Sequence, residues 1–197
     1  NNSAERICLP QLDPEGALDA LIKFVEVEKD CVPSAPNTSL YLRPFLFGAD
    51  PFLGVHTVNK TSYMVIASPV GSYYKEGLNP VTIMIETDDV RAVRGGTGYA
   101  KCGGNYGASF RAGKKAEEKG YSQVLWLDGV ERKYIEEVGA MNVMFMVGDE
   151  IVTPALTGSI LPGITRKSCI ELLRSQGYTV NERLFSLEEL TTACKNG

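Results

Sequence analysis

The stretch VRGGTGYAKCGGNYGAS, residues 93–109, holds six glycines in seventeen residues and a single lysine, Lys101. It is also where the pattern of the chain changes. Before it, β-branched and apolar residues alternate; after it, a helical run with small residues on one face begins. A glycine-rich turn with a lysine often cradles phosphate. The nucleotide loop G-x-x-x-x-G-K-[ST] is not met, because Ala100 precedes Lys101 and Cys102 follows it. The dinucleotide pattern G-x-G-x-x-G fails too, since no glycine stands three residues after Gly98.

Another task suits the stretch. A lysine amine attacks a carbonyl only when deprotonated, and burial favours that state. Neighbouring glycines let the backbone approach a flat cofactor closely. A lysine of this kind needs an acid facing a pyridine nitrogen, a donor for a ring hydroxyl and a cup for phosphate. Candidates for all three follow in the chain. Tyr106 is five residues on, and EEVGAMN (136–142) places an acid before a glycine-containing turn. LPGITR (161–166) opens a helix, whose free N–H groups and positive end favour an anion.

Working outward, DPEGALDALIKFVEVEKD (13–30) reads as a helix capped by Asp13 with Pro14 in its first turn. Leu18, Leu21, Ile22 and Val25 form its apolar stripe. SLYLRPFLFG (39–48), SYMVIASPVG (62–71) and PVTIMIET (80–87) read as strands. Downstream, NYGASFRAGKKAEEKG (105–120) is a helix stopped by Gly120, and SQVLWLDG (122–129) is a strand ending in an Asp-Gly turn. NVMFMVGDEIVT (142–153) is a hairpin turning at Gly148-Asp149. A helix over 162–177, a strand over TVNERLF and a last helix with Ser186 and Glu189 as a capping box complete the pattern. The expected fold is α+β in two lobes: a small one over 1–87, a connection over 88–97 and a larger one over 98–197.

With 197 residues, 44% hydrophobic and 22% charged, the chain can build a real core. A net charge of −4 and the lack of a basic run argue against nucleic acid. No apolar stretch approaches the ~20 residues of a membrane span, and NNSAERICLP lacks the features of a signal peptide. Five cysteines without C-x-x-C spacing read as free thiols in a reducing compartment. The one histidine, His56, has no serine or cysteine pattern to serve and reads as an ordinary residue.

Taken together, TSLYLRP, FLGV, SPVGSYY, VRAVRGGTG, AKCGGNYGAS, QVLWLDG, EEVGAMN, TPALTGSILPGITR and LEELTTA resemble the branched-chain amino-acid aminotransferases, pyridoxal-phosphate enzymes of fold type IV. The resemblance covers nearly the whole chain. It implies that Lys101 carries pyridoxal 5'-phosphate and moves the substrate's Cα proton. Tyr106 would bond the ring oxygen, and Glu137 would pair with the pyridine nitrogen; Glu136 is its rival, and in an extended segment the two point to opposite sides. Ile164 and Thr165 would meet the phosphate through backbone N–H groups, with Arg94 near that region. On the substrate side, Tyr41 and Arg43 share one face of a strand, with Arg43 placed for the side-chain carboxylate of glutamate. Tyr73 is similar to a further pocket tyrosine, and Leu53 and Val55 to a loop that reaches the partner subunit's active site. Ala140 stands where many relatives carry threonine, so the substrate carboxylate would rely on backbone groups there.

The implied reaction moves the amino group of leucine, isoleucine or valine to 2-oxoglutarate, giving the branched 2-oxo acid and glutamate. The implied assembly is a cytoplasmic homodimer, or a mitochondrial one if a transit peptide precedes Asn1. The resemblance also implies family segments on either side of these 197 residues, carrying a phosphate-binding arginine and a glycine-threonine contact. The chain is therefore expected to be a fragment that binds the cofactor weakly alone. D-amino-acid aminotransferase and aminodeoxychorismate lyase share the fold and the lysine; a dimer-forming fragment without chemistry is the alternative from another class.

Overall fold

The computed structural model describes residues 1–72, 77 and 79–196. Two compact units emerge, Asn1–Pro80 and Val81–Gly197.

The first unit begins with α1 (Asn2–Arg6) and α2 (Pro14–Val27), followed by a single 3-10 turn at Lys29–Cys31. α2 starts where expected: Gly16 donates its N–H to the Asp13 carboxylate at 2.9 Å, and Pro14 fills the first helical position. Two strands, β1 (Ser39–Gly48) and β2 (Thr61–Val70), pair antiparallel from Ser39↔Val70 to Gly48↔Thr61. The unit seals little of its apolar surface. Ala4 is its one buried side chain among the described residues, and Leu18 and Ile22 of the expected helix stripe are 56% and 48% exposed.

The second unit holds β3 (Ile83–Ile85), α3 (Gly104–Glu118), β4 (Gln123–Leu127), β5 (Ile135–Val138), β6 (Phe145–Val147), β7 (Glu150–Pro154), α4 (Ile164–Ser175), β8 (Thr179–Arg183) and α5 (Leu187–Asn196). They form two three-stranded sheets, β3-β4-β5 and β6-β7-β8. Each sheet mixes one parallel and one antiparallel pairing. α3 turns its small-residue face inward, so Ala112 and Ala116 pack against Met84, Val124 and Trp126. α4 sets Ile170 against Ile151 and Val180. Between the sheets, Leu125, Leu127, Ile135, Val138, Val152 and Phe185 form the largest buried cluster. Each such side chain contributes about 1.5–3 kcal/mol by leaving water.

Three expectations change. The third strand of the first lobe shrinks to Ile83–Ile85 and joins the second unit, where it lies parallel to β4. Residues 88–97, expected as the connection between the lobes, fall within the unit Val81–Gly197. The cause is pairing: the β3 backbone finds its hydrogen-bond partners on Gln123–Leu125. The capping box is half made. Glu189 donates its backbone N–H to Ser186 Oγ at 3.0 Å, but its carboxylate turns to Arg183 instead of back to the cap.

Candidate active site

Lys101 stands in the loop just before α3, and a cleft of about 390 Å³ opens around it. Arg91, Tyr106, Glu137, Ala140 and Leu161 are among the residues that line it. The loop is held from below. Asn105 donates to the carbonyls of Thr97 and Ala100, each at 2.9 Å, and accepts from Thr97 Oγ1 at 2.7 Å. One side chain thus ties the glycine stretch to the first turn of α3. Gly98 is needed where it sits: a Cβ there would strike the Ser159 carbonyl and Ala92. Its task is close backbone packing. Gly95, Gly103, Gly104 and Gly107 are open, with nothing within 4 Å of where a Cβ would stand.

Over this base the Lys101 ammonium lies 5.6 Å from the centre of the Tyr106 ring. Lys101 is exposed, not buried as the carbonyl chemistry led one to expect.

The acid comes from β5. Strand alternation sends Glu136 and Glu137 to opposite sides, as an extended segment requires. Glu137 faces the Lys101 cleft and is 3% exposed. Its Oε1 accepts from the Leu161 N–H at 3.0 Å and from Asn142 at 3.4 Å, while Oε2 meets Arg91 Nε at 3.2 Å. Burial pushes this carboxyl up; Arg91, the Leu161 N–H and Lys101 oppose that rise. Glu136 lines a separate hollow of about 770 Å³ together with Arg94. It accepts from the Ser159 hydroxyl, and its other oxygen has no hydrogen-bond partner. Burial pushes this group up as well, against the Ser159 bond and Arg91. The turn after β5 is fixed by Gly139 (φ +56°), whose N–H reaches the Val124 carbonyl at 2.7 Å. The Trp126 indole donates to the Gly139 carbonyl at 2.9 Å. That turn leaves Ala140 exposed at the edge of the cleft.

The remaining expected residues are spread more widely. Ile164 and Thr165 are the first residues of α4, three and four positions after cleft-lining Leu161. Gly163, not Thr165, is the N-cap, and no side chain caps that first turn. Arg94 is not among the residues lining the Lys101 cleft; it lines the Glu136 hollow. In the first unit, Tyr41 and Arg43 do share a face of β1, with the Arg43 guanidinium 5.1 Å from the Tyr41 ring centre. Leu53 and Val55 are 96% and 108% exposed. Tyr73 lies outside the described residues. Arg91 and Asn105 were not expected. Arginine and asparagine are ordinary surface residues in most sequences, and only the fold reveals their buried partners.

Residues 1–195 match the family model described as amino-transferase class IV. The chain is 54% identical over 197 residues to branched-chain-amino-acid aminotransferase 2 of Bacillus subtilis, covering 100% of this chain and 54% of that protein. It is 46% identical over 193 residues to the branched-chain-amino-acid aminotransferase of Mycobacterium tuberculosis, covering 95% of this chain and 52% of that one. Among solved structures, the Escherichia coli branched-chain amino acid aminotransferase superposes with a TM-score of 0.81 at 30% identity, over 96% of this chain and 61% of that chain. An aminotransferase from Brucella abortus bound to the co-factor PLP gives a TM-score of 0.77 at 25% identity, over 97% of this chain and 65% of that one. The chain spans about half the length of the curated relatives it matches. A family match over almost every residue, on a fold shared with solved members, places this chain in the class IV aminotransferase family.

Proposed function

We propose that the protein is a branched-chain-amino-acid transaminase that holds pyridoxal 5'-phosphate on Lys101. The observation that carries this reading is one cleft that presents an amine over a phenol ring with a buried carboxylate in the same wall. The residues fit such a group. Lys101 supplies the amine for its aldehyde, Tyr106 a phenol for its ring oxygen, and Glu137 a carboxylate for its ring nitrogen. The uncapped first turn of α4, at Ile164 and Thr165, offers N–H groups to its phosphate. When bound, this cofactor supplies an electron sink for the charge left at the substrate's Cα.

The chain's own residues do the rest. The Lys101 amine takes the Cα proton and returns it at the other end of the exchange. Glu137 keeps negative charge beneath the site, steadied by the Leu161 N–H and Asn142. Ala140 leaves room at the rim where a threonine would add a hydroxyl. Tyr41 and Arg43 are proposed to receive the substrate side chain, the guanidinium taking the second carboxylate of glutamate. Leucine, isoleucine or valine and 2-oxoglutarate are the proposed substrates, and a homodimer in which Leu53 and Val55 reach the partner is the proposed assembly. A cytoplasmic location belongs to the same proposal, supported by five free cysteines.

The test is amino transfer. Leucine with 2-oxoglutarate should give glutamate in the intact protein, and Lys101→Ala should lower the rate at least about a thousandfold. Glutamate production that survives in Lys101→Ala would defeat the proposal. Because Lys101 is exposed, that variant should keep the wild-type melting temperature when both proteins are free of cofactor.

A further inference from the structure

Two acids and one arginine meet beneath the cleft, all less than a tenth exposed: Glu136 at 5%, Glu137 at 3% and Arg91 at 9%. Buried charges persist only when paired. One guanidinium cannot neutralise two carboxylates, and its geometry chooses between them. Arg91 Nε stands 3.2 Å from Glu137 Oε2, and its Nη2 donates to the Ser159 carbonyl. The same Ser159 sends its hydroxyl to Glu136. Glu137 therefore receives two N–H donors, from Leu161 and Asn142, and a charge contact from Arg91 Nε that is close enough for an ion pair but not aligned as a hydrogen bond. Glu136 receives one hydroxyl and keeps an oxygen without a partner. The charged groups acting on Glu137 are Arg91 and Lys101; those acting on Glu136 are Arg91, Asp128 and Glu137.

We propose that Arg91 is a positioning residue that reserves the negative charge of the acid pair for Glu137, leaving Glu136 as the protonated member. Arg91 spans from β5 to the backbone of the segment before α4, so it also fixes the direction in which the Glu137 carboxylate faces. Gly98 packs on the Ser159 carbonyl, so the glycine stretch that bears Lys101 leans on the same anchor. Lys101, Glu137 and Arg91 then form one unit with a set charge. The inference rests on the transaminase reading only for what Glu137 faces; the partition of charge stands on this chain's residues alone.

The test separates the two. In the cofactor-free intact protein, infrared titration with Glu136→Gln and Glu137→Gln as subtraction partners assigns the two carboxylates. Glu137 should lose its charge at a lower pH than Glu136, and the reverse order or a shared midpoint overturns the proposal. Arg91→Gln should raise the Glu137 midpoint by about 1–3 pH units, the size expected for losing an adjacent opposite charge. An unmoved midpoint in folded Arg91→Gln overturns it; if that variant does not fold, the order of the two midpoints in the wild-type protein decides. Added pyridoxal phosphate gives the second arm. Borohydride should fix it on Lys101 in wild-type and Arg91→Gln alike, with weaker reversible binding in the variant. Failure to label Lys101 in the wild type defeats the transaminase reading and leaves the infrared result to judge Arg91.

Discussion

The two units of the chain bury their residues very differently. Residues 81–197 contain three sealed clusters, with Ala112, Val152 and Phe185 at 0% exposure. Residues 1–80 contain one buried side chain, Ala4, among those described. The first unit has regular elements, including two ten-residue strands paired in continuous register, yet its apolar side chains stay in reach of water. Regular backbone and a sealed core are separate achievements. The Lys101 cleft lies in the unit that has both, where Glu137 and Arg91 are buried beneath it. Tyr41 and Arg43, proposed to receive the substrate side chain, stand on a strand that has only the first.

The contrast can be broken most forcefully in the core. Phe185 is fully buried, meets Phe145 at 5.0 Å and lies among Leu125, Leu127 and Val152. Phe185→Ala should cost about 3–5 kcal/mol in denaturant unfolding followed by Trp126 fluorescence. A cost below about 1 kcal/mol would mean that this cluster does not hold the second unit together.

The next effect concerns the turn after β4. Burial would raise the Asp128 carboxyl, but N–H groups of Tyr134, Glu131, Lys133 and Val130 together hold it below its usual range. A depressed folded value means that the stabilisation is present above the unfolded value and is lost as pH falls through the folded one. Asp128→Ala should cost about 2 kcal/mol at neutral pH, and the penalty should shrink below about pH 4. Melting curves of both proteins across that range check it; a penalty that is constant with pH would remove the carboxylate from the explanation.

Glu136 carries the opposite sign. Its carboxyl is pushed up, so its favourable state is present below the unfolded value and is lost as pH rises through the folded one. Glu136→Gln should leave stability unchanged near pH 4 and raise it by about 1 kcal/mol at pH 8, as thermal melts at the two pH values will report. In the first unit, Leu18→Ala should change stability by no more than about 0.5 kcal/mol, since the side chain is 56% exposed. A loss as large as that of Phe185→Ala would erase the difference between the units.

Much of this was legible before the structure. The Gly148-Asp149 turn between β6 and β7, the Asp13 cap and the stop of α4 before Gly177 follow local rules of backbone conformation and appear as read. Lys101, Tyr106 and Glu137 share a cleft, as their pattern suggested. What stayed hidden is set by distant partners. Two successive glutamates look like solvated surface, and only Arg91, Ser159 and Leu161 explain how β5 buries them. β3 read as part of the first lobe because its sequence cannot show that it pairs with β4. Arg94 was expected near the phosphate region, yet it lines the Glu136 hollow, while Arg91, which the sequence did not single out, lines the Lys101 cleft.

Mapping where the cofactor attaches tests the central claim most directly. After pyridoxal phosphate is added to the intact protein and reduced with borohydride, peptide mass analysis should find the adduct on Lys101, and Glu137→Gln should weaken its binding while keeping the site. An adduct scattered over surface lysines, with Lys101 unmodified, would contradict the account.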